Sequence, residues 1–204
     1  MSPLSPATVI LILAVSAFTA IAAFLDFRTK RIPNRLTIPM FFAGWVFQLG
    51  MSFMYGWHHL ASGALGFLVG FGLLFLLWFI GGGGGGDVKL IGALSVWLGL
   101  KMTLAVLFVS TLCVLFATVC VVLTTVFKYG LSRTREKYLA TGKTQVGQPS
   151  IVETADDKLR RRVMAYAGPV AVATWAVVFW NVPRLEQELR ADSIQPAVTT
   201  ESVK

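Results

Sequence analysis

The chain has 204 residues, 55% of them hydrophobic and only 14% charged, with a mean hydropathy of +0.70. A composition this apolar excludes a soluble globular domain and fits an all-α, multi-span membrane protein. The formal net charge of +8 sits in loops beside apolar spans, a distribution that suits orientation and contact with anionic membrane lipid; no nucleic-acid-binding motif accompanies it.

Residues 7–25 carry no charge and are long enough to span a bilayer. No basic residue precedes this stretch and four follow it, so it reads as a retained first helix with its N-terminus outside rather than a cleaved signal. Asp26 follows at once, then a loop with Arg28, Lys30, Arg31 and Arg35, in which Ile32-Pro33-Asn34 is a turn signal. Residues 36–55 predict a second span, with Pro39 in its first turn and Gln48 inside it. A short aromatic loop carries His58-His59, adjacent positions that rarely converge on one metal ion without further ligands. Residues 60–80 predict a third span in which Gly63, Gly66, Gly70 and Gly72 favour close helix packing.

Six glycines then run from Gly81 to Gly86 into Asp87 and Lys89. Glycine suits a place where backbone unwinds or is closely approached. An acid at the edge of an apolar span is a functional-site hypothesis by default. The apolar stretch 88–100 covers only about 20 Å as a helix, short of a hydrocarbon core of about 30 Å, so either the bilayer thins or the helix starts below the surface. Gly99-Leu100-Lys101 is a tight return into a fifth span, 102–127. There Cys113 and Cys120 share a helix face and read as small buried apolar residues; no CxxC pair or Cys/His cluster indicates zinc.

Residues 128–162 hold nine Lys/Arg against four Asp/Glu, with Gly142, Gly147 and Pro149 as breakers, and read as a polar loop ending in Arg160-Arg161-Arg162. A sixth span, 163–181, contains Gly168-Pro169, read as a kink or interruption. The domain reading is a membrane-embedded body over 1–182 and a polar, poorly ordered tail over 183–204. On one side of the membrane the loops carry fourteen basic residues, on the other four, which makes the first side cytoplasmic and both termini external.

Whatever the orientation, Asp26 ends span one and Asp87 begins span four, so alternating helices put both on one membrane face. Two carboxyls meeting in a partly dry site tend to share a proton. Such a pair activates water with the charged member and polarises a peptide carbonyl with the neutral one. The structural alternative is two interfacial acids, each paired with a base such as Arg28 or Lys89.

Gly84-Gly85-Gly86-Asp87 fits the G-x-G-D signature of intramembrane aspartyl proteases. With Val88-Lys89-Leu90, Trp97-Leu98-Gly99, and Asp26 followed by Ile32-Pro33-Asn34, the chain resembles the type IV prepilin peptidases over roughly residues 8–180. The resemblance implies a peptidase that removes the basic leader of a prepilin or pseudopilin at the cytoplasmic face of the inner or plasma membrane, in company with pilus assembly or secretion machinery. It carries Asp26 and Asp87 over as the catalytic pair, Gly84 and Gly86 as backbone-placing motif residues, and Lys89, Pro33 and Asn34 as motif positions without an assigned role. No cofactor is implied.

Two departures stand out. The paired CxxC motifs associated with N-methylation are missing, so the chain resembles the short, peptidase-only branch found with tight-adherence pili, and methyltransferase activity is not expected. The family's Pro-Phe-Gly-Pro is here Tyr166-Ala167-Gly168-Pro169, to which no role is assigned. Other readings are a preflagellin or presenilin-like protease sharing G-x-G-D, and, outside enzymes, a small transporter or channel subunit with a broken helix at 81–87.

Overall fold

The computed structural model describes residues 4–81, 84–139 and 166–201, which are helical apart from short connections, with no strand among them. The chain divides into two compact units, Met1–Ser110 with Ala165–Lys204, and Thr111–Met164.

Helix α1 (Pro6–Thr29) starts behind Ser5, whose Oγ accepts the Thr8 N–H at 3.2 Å, with a proline where its missing N–H costs nothing. Its buried residues are Thr8, Leu11, Val15, Phe18, Thr19, Ala22 and Asp26, spaced by threes and fours into one stripe. Ile10, Leu13 and Phe24 on the other side are exposed and equally apolar. A helix apolar on every side belongs in lipid, and it shows no sequence moment from which to read its inner face.

Helix α2 (Asn34–Tyr55), α3 (His58–Phe79), α4 (Gly85–Leu139) and α5 (Ala167–Glu201) follow. Among the described residues, four stretches are long and apolar enough to cross a membrane: α1, α2, α3 and Gly85–Val121. The expected sixth span begins in residues 163–165, outside the described part. From Ala167 onward it is helical, but its apolar run ends at Asn181, Pro183 and Arg184, and it is not one of the four.

The α4 element is not straight. Gly99 has φ +68°, and Thr103 Oγ1 lies 3.5 Å from the carbonyl oxygen of Ser95. Eight residues of straight helix separate such groups by about 12 Å, so the chain reverses at Gly99, where the Gly-Leu-Lys return was expected. The segment before it, 85–98, is buried on nearly all sides, from Val88 and Leu90 to Trp97 and Leu98. A helix shielded by protein in this way has no lipid-facing length to match, which accounts for its shortness.

Glycines make room for that central segment. A Cβ on Gly66 would stand 2.7 Å from Gly99 C and 2.7 Å from Ser95 O, and one on Gly70 would meet Ser95 and Thr103 at 2.9 and 3.0 Å. Gly63 takes the Gln48 side chain, whose Nε2 donates to Val96 O at 2.7 Å. Gly72, expected to join this stripe, faces open space. On the other side Trp97 stacks on Phe47 with centroids 5.0 Å apart and donates from Nε1 to Met40 O at 2.9 Å.

Helices α1 and α5 pack antiparallel, pinned at three levels. Ser5 N–H donates to Glu186 Oε1 at 2.8 Å, Trp175 Nε1 to Thr19 Oγ1 at 3.1 Å, and Ala167 N–H to Asp26 Oδ2 at 2.9 Å. Two expectations change here. Pro169 lies in the first turn of α5, where no helical N–H partner exists to lose, so it starts the helix instead of kinking it. Residues 183–201 are not a loose tail but the continuation of α5, held by buried Leu189 and by Glu186 and Glu188. In the second unit the described residues, 111–139, continue α4 through half-buried Cys113 and Cys120 and take in the first part of the expected polar loop. Gly142, Gly147, Pro149 and Arg160–Arg162 lie outside the described residues.

The glycine contacts predict an ordering. Gly66→Ala forces a methyl into backbone that cannot swing aside and should lower stability by about 1–3 kcal/mol. Gly72→Ala should be neutral or slightly stabilising. Thermal unfolding of both variants in the same detergent checks the order.

Candidate active site

Asp26 is the last residue of the α1 stripe and is 2% exposed. A carboxyl at that depth needs hydrogen-bond partners, because leaving one unmade costs on the order of 1–3 kcal/mol, more for a charged group. The backbone N–H of Ala167 supplies one at 2.9 Å, from the first residue of α5, where helical N–H groups have no partner within the helix. This geometry departs from the picture of an interfacial acid resting against a neighbouring base.

Asp87 stands in the first turn of α4 and is half-buried. The helix starts directly after buried Gly84, whose carbonyl accepts the Asp87 N–H at 3.0 Å and the Val88 N–H at 3.4 Å. An acid is favoured in this turn by the helix dipole. A Cβ on Gly86 would meet Ile32 at 3.7 Å, ordinary contact, so the buried isoleucine of the first loop packs beside the residue preceding Asp87. Pro33 precedes α2 and accepts from Leu36 N and Thr37 N at 3.1 and 3.4 Å. Asn34 opens α2 and its Oδ1 accepts from Lys89 Nζ at 2.9 Å. The Ile-Pro-Asn turn and the Gly-Asp-Val-Lys turn are therefore in direct contact, and both belong to the end of the helices where Asp26 lies.

The turn at Tyr166-Ala167 meets the first of the two acids. Ala167 holds Asp26, and half-buried Tyr166 directly precedes it, its carbonyl accepting the Val170 N–H at 3.3 Å. Sequence reasoning left this segment without a role. Its signal was present: a Gly-Pro one residue after a small side chain marks a helix N-terminus, and its partner is the acid that ends the α1 stripe. The His58-His59 pair, with ring centroids 4.3 Å apart, belongs to the opposite end of the helices, and among the described residues no group of three or more His, Cys, Asp or Glu is placed to hold a metal ion.

A double-mutant cycle tests the Asp26–Ala167 bond. Ala167→Pro removes the donor at a helix position that accepts proline, and Asp26→Ala removes the acceptor. Denaturant unfolding should give a coupling energy of about 1.5–3 kcal/mol, the range for a hydrogen bond to a charged group. Simple additivity would mean that the contact contributes nothing.

Comparison with known proteins identifies the family. The family model of the type IV leader peptidase family matches residues 13–119. A prepilin leader peptidase/N-methyltransferase of Neisseria gonorrhoeae is 30% identical over 158 residues, covering 74% of this chain and 50% of that protein. Proteins of the same name from Xanthomonas campestris pv. campestris (31% over 107 residues, 49% of this chain and 36% of the relative) and Escherichia coli K12 (28% over 119 residues, 55% and 51%) are also similar. The chain thus spans about half the length, or less, of these curated relatives, and no solved structure matches it significantly. With the family model covering more than half of its residues, including both aspartates and both turns that carry them, the chain belongs to the type IV leader peptidase family.

Proposed function

We propose that this protein is a membrane-embedded aspartic endopeptidase that cleaves the basic leader from prepilin-like substrates, with Asp26 and Asp87 as the reacting pair. The observation that supports this most is the burial of Asp26 at the same end of the helices as Asp87, where the Ile32-Pro33-Asn34 turn that follows Asp26 rests against Gly86 and Lys89. The relatives' name suggests the substrate class; its methyl-transfer half is not carried over.

In this reading one aspartate is ionised and takes a proton from water, and the oxygen attacks the scissile carbonyl carbon. The other, protonated, donates a hydrogen bond to the carbonyl oxygen as charge develops there. The tetrahedral species collapses by breaking the C–N bond, the amine leaving with a proton from the pair, so water is split between a leader carboxylate and a new N-terminal amine. The Ala167 N–H keeps the Asp26 carboxyl in one orientation through the cycle, which is worth rate because misplacement of a reacting group by about 1 Å can cost on the order of a hundredfold. The substrate's apolar helix would lie in lipid against the exposed side chains of the bundle, and its extended cleavage segment beside the glycine run, where few side chains stand in the way. The fourteen-to-four distribution of basic residues orients the aspartate end toward the cytoplasm, with anionic lipid gathered there.

Mass spectrometry of a candidate pilin's N-terminus, with and without the full-length protein in detergent, tests the activity. Asp26→Asn and Asp87→Asn should each abolish cleavage, and the double variant should be little worse than either, as for residues acting as a unit. More than a few per cent of wild-type turnover in one single variant would take that residue out of the pair.

Gly86→Val should reduce cleavage at least tenfold. Its extra methyls push on Ile32 next to Asp87, whereas Gly86→Ala, with 3.7 Å available, should retain most activity. Equal turnover in both variants would show that the position tolerates bulk.

A further inference from the structure

The other end of the same unit holds a cavity of about 710 Å³. It is lined by Thr8, eighteen residues and about 27 Å along α1 from Asp26, and by Leu98, eleven residues and about 17 Å along α4 from Asp87, so it lies at the opposite end of both segments. Its size falls among small-molecule sites.

The lining has two parts. Leu11, Met51, Leu98, Met102, Leu185 and Leu189 make an apolar wall, contributed by α1, α2, the return in α4, and α5. The His58-His59 pair opens α3, Lys101 follows the return at Gly99, and Arg184 stands in α5 just past its apolar run, with Glu188 the one acid in the lining. Lys101 and Glu188 are 3.3 Å apart but 89% and 60% exposed, an ion pair that solvent holds loosely. Counting Lys101, Arg184 and Glu188, the lining keeps one net positive charge before either imidazole protonates. Gln48, deeper in the wall, already spends its Nε2 on Val96 O. Cations at the membrane surface beside an apolar wall within the bilayer's depth match a ligand with an anionic head and a hydrocarbon tail. A small soluble anion would leave the apolar wall unused.

We propose that this cavity binds an anionic phospholipid from the leaflet opposite the aspartates, its phosphate at Arg184, Lys101 and the histidine pair, and an acyl chain along Leu11, Met51, Leu98 and Leu189. The site is independent of the peptidase reading.

Native mass spectrometry of the full chain, released from mixed micelles of phosphatidylglycerol and phosphatidylcholine, tests it. Wild type should retain one phosphatidylglycerol in preference to phosphatidylcholine. Arg184→Gln should lower that retention about fivefold, the worth of one basic residue near a membrane surface. Ala105→Trp fills the cavity without touching a charge and should abolish it, with thermal unfolding confirming that each variant is folded; Ala105→Leu replaces the tryptophan variant should that one not fold. Glycerol phosphate or inorganic phosphate in excess should not displace the lipid. Equal retention of the two lipids, unchanged retention in the cavity-filling variant, or displacement by free phosphate would each overturn the proposal.

Discussion

A carboxyl group 2% exposed, at the end of a helix whose outer face meets lipid, is the constraint on which this fold turns. Removing such a group from water is costly by several kcal/mol if it is charged, and a charge-assisted hydrogen bond returns about 1.5–3 kcal/mol of it. The Ala167 N–H can serve only if α5 begins where α1 ends. That requirement sets the antiparallel register of the pair, and the Trp175–Thr19 and Ser5–Glu186 bonds fall along the same register toward the other end. The first and last described helices are thus tied together by the group whose burial most needs explaining.

Asp87 is positioned by different means. Its helix is short and enclosed, and reaches its place because Gly66 and Gly70 of α3 let backbone come within van der Waals reach of Ser95, Gly99 and Thr103. Hydrophobic driving force does little between helices in lipid, so close packing and the Gln48 and Trp97 hydrogen bonds carry the association. The start of α4 is then clamped to the first loop by Ile32 against Gly86 and by Lys89 on Asn34. These motif residues act on each other, which gives a structural reason for their spacing: the turn after Asp26 is the surface on which the turn before Asp87 rests.

Much of this was legible in the sequence. The apolar runs gave α1, α2 and α3 within a few residues, and Gly99 with Lys101 marked the return, since glycine admits the positive φ that a reversal needs. The common face of Asp26 and Asp87 followed from helix alternation. The orientation of each helix did not, because α1 is apolar on both sides and its buried stripe has no polar counterpart to reveal it. Gly72 was misread for the same reason: small residues at helical spacing mark a close face only if a neighbour occupies it. The role of Ala167 was hidden because its contribution is a backbone N–H, which every residue but proline carries. The helix past Pro183 was missed because polar composition masked Leu185 and Leu189, four apart on one face.

Buried polar side chains are plentiful in this bundle, and most need no chemical explanation. The hydroxyls of Thr19, Thr174 and Ser110 donate to carbonyls of their own helices, at 2.8, 2.7 and 3.0 Å, a neutral arrangement that satisfies the group where it stands. Gln48 links helices with a neutral amide. Among the described buried residues Asp26 alone is ionisable. Its contact with Ala167 asks only for an acceptor oxygen, which an asparagine of the same shape would offer without any charge to desolvate. The hydrogen bond to Ala167 therefore does not by itself require an acid at this position. In the proposed reaction this carboxyl would give and take a proton, which an amide cannot do, and stability forgone at a reacting centre is a common trade between folding and activity.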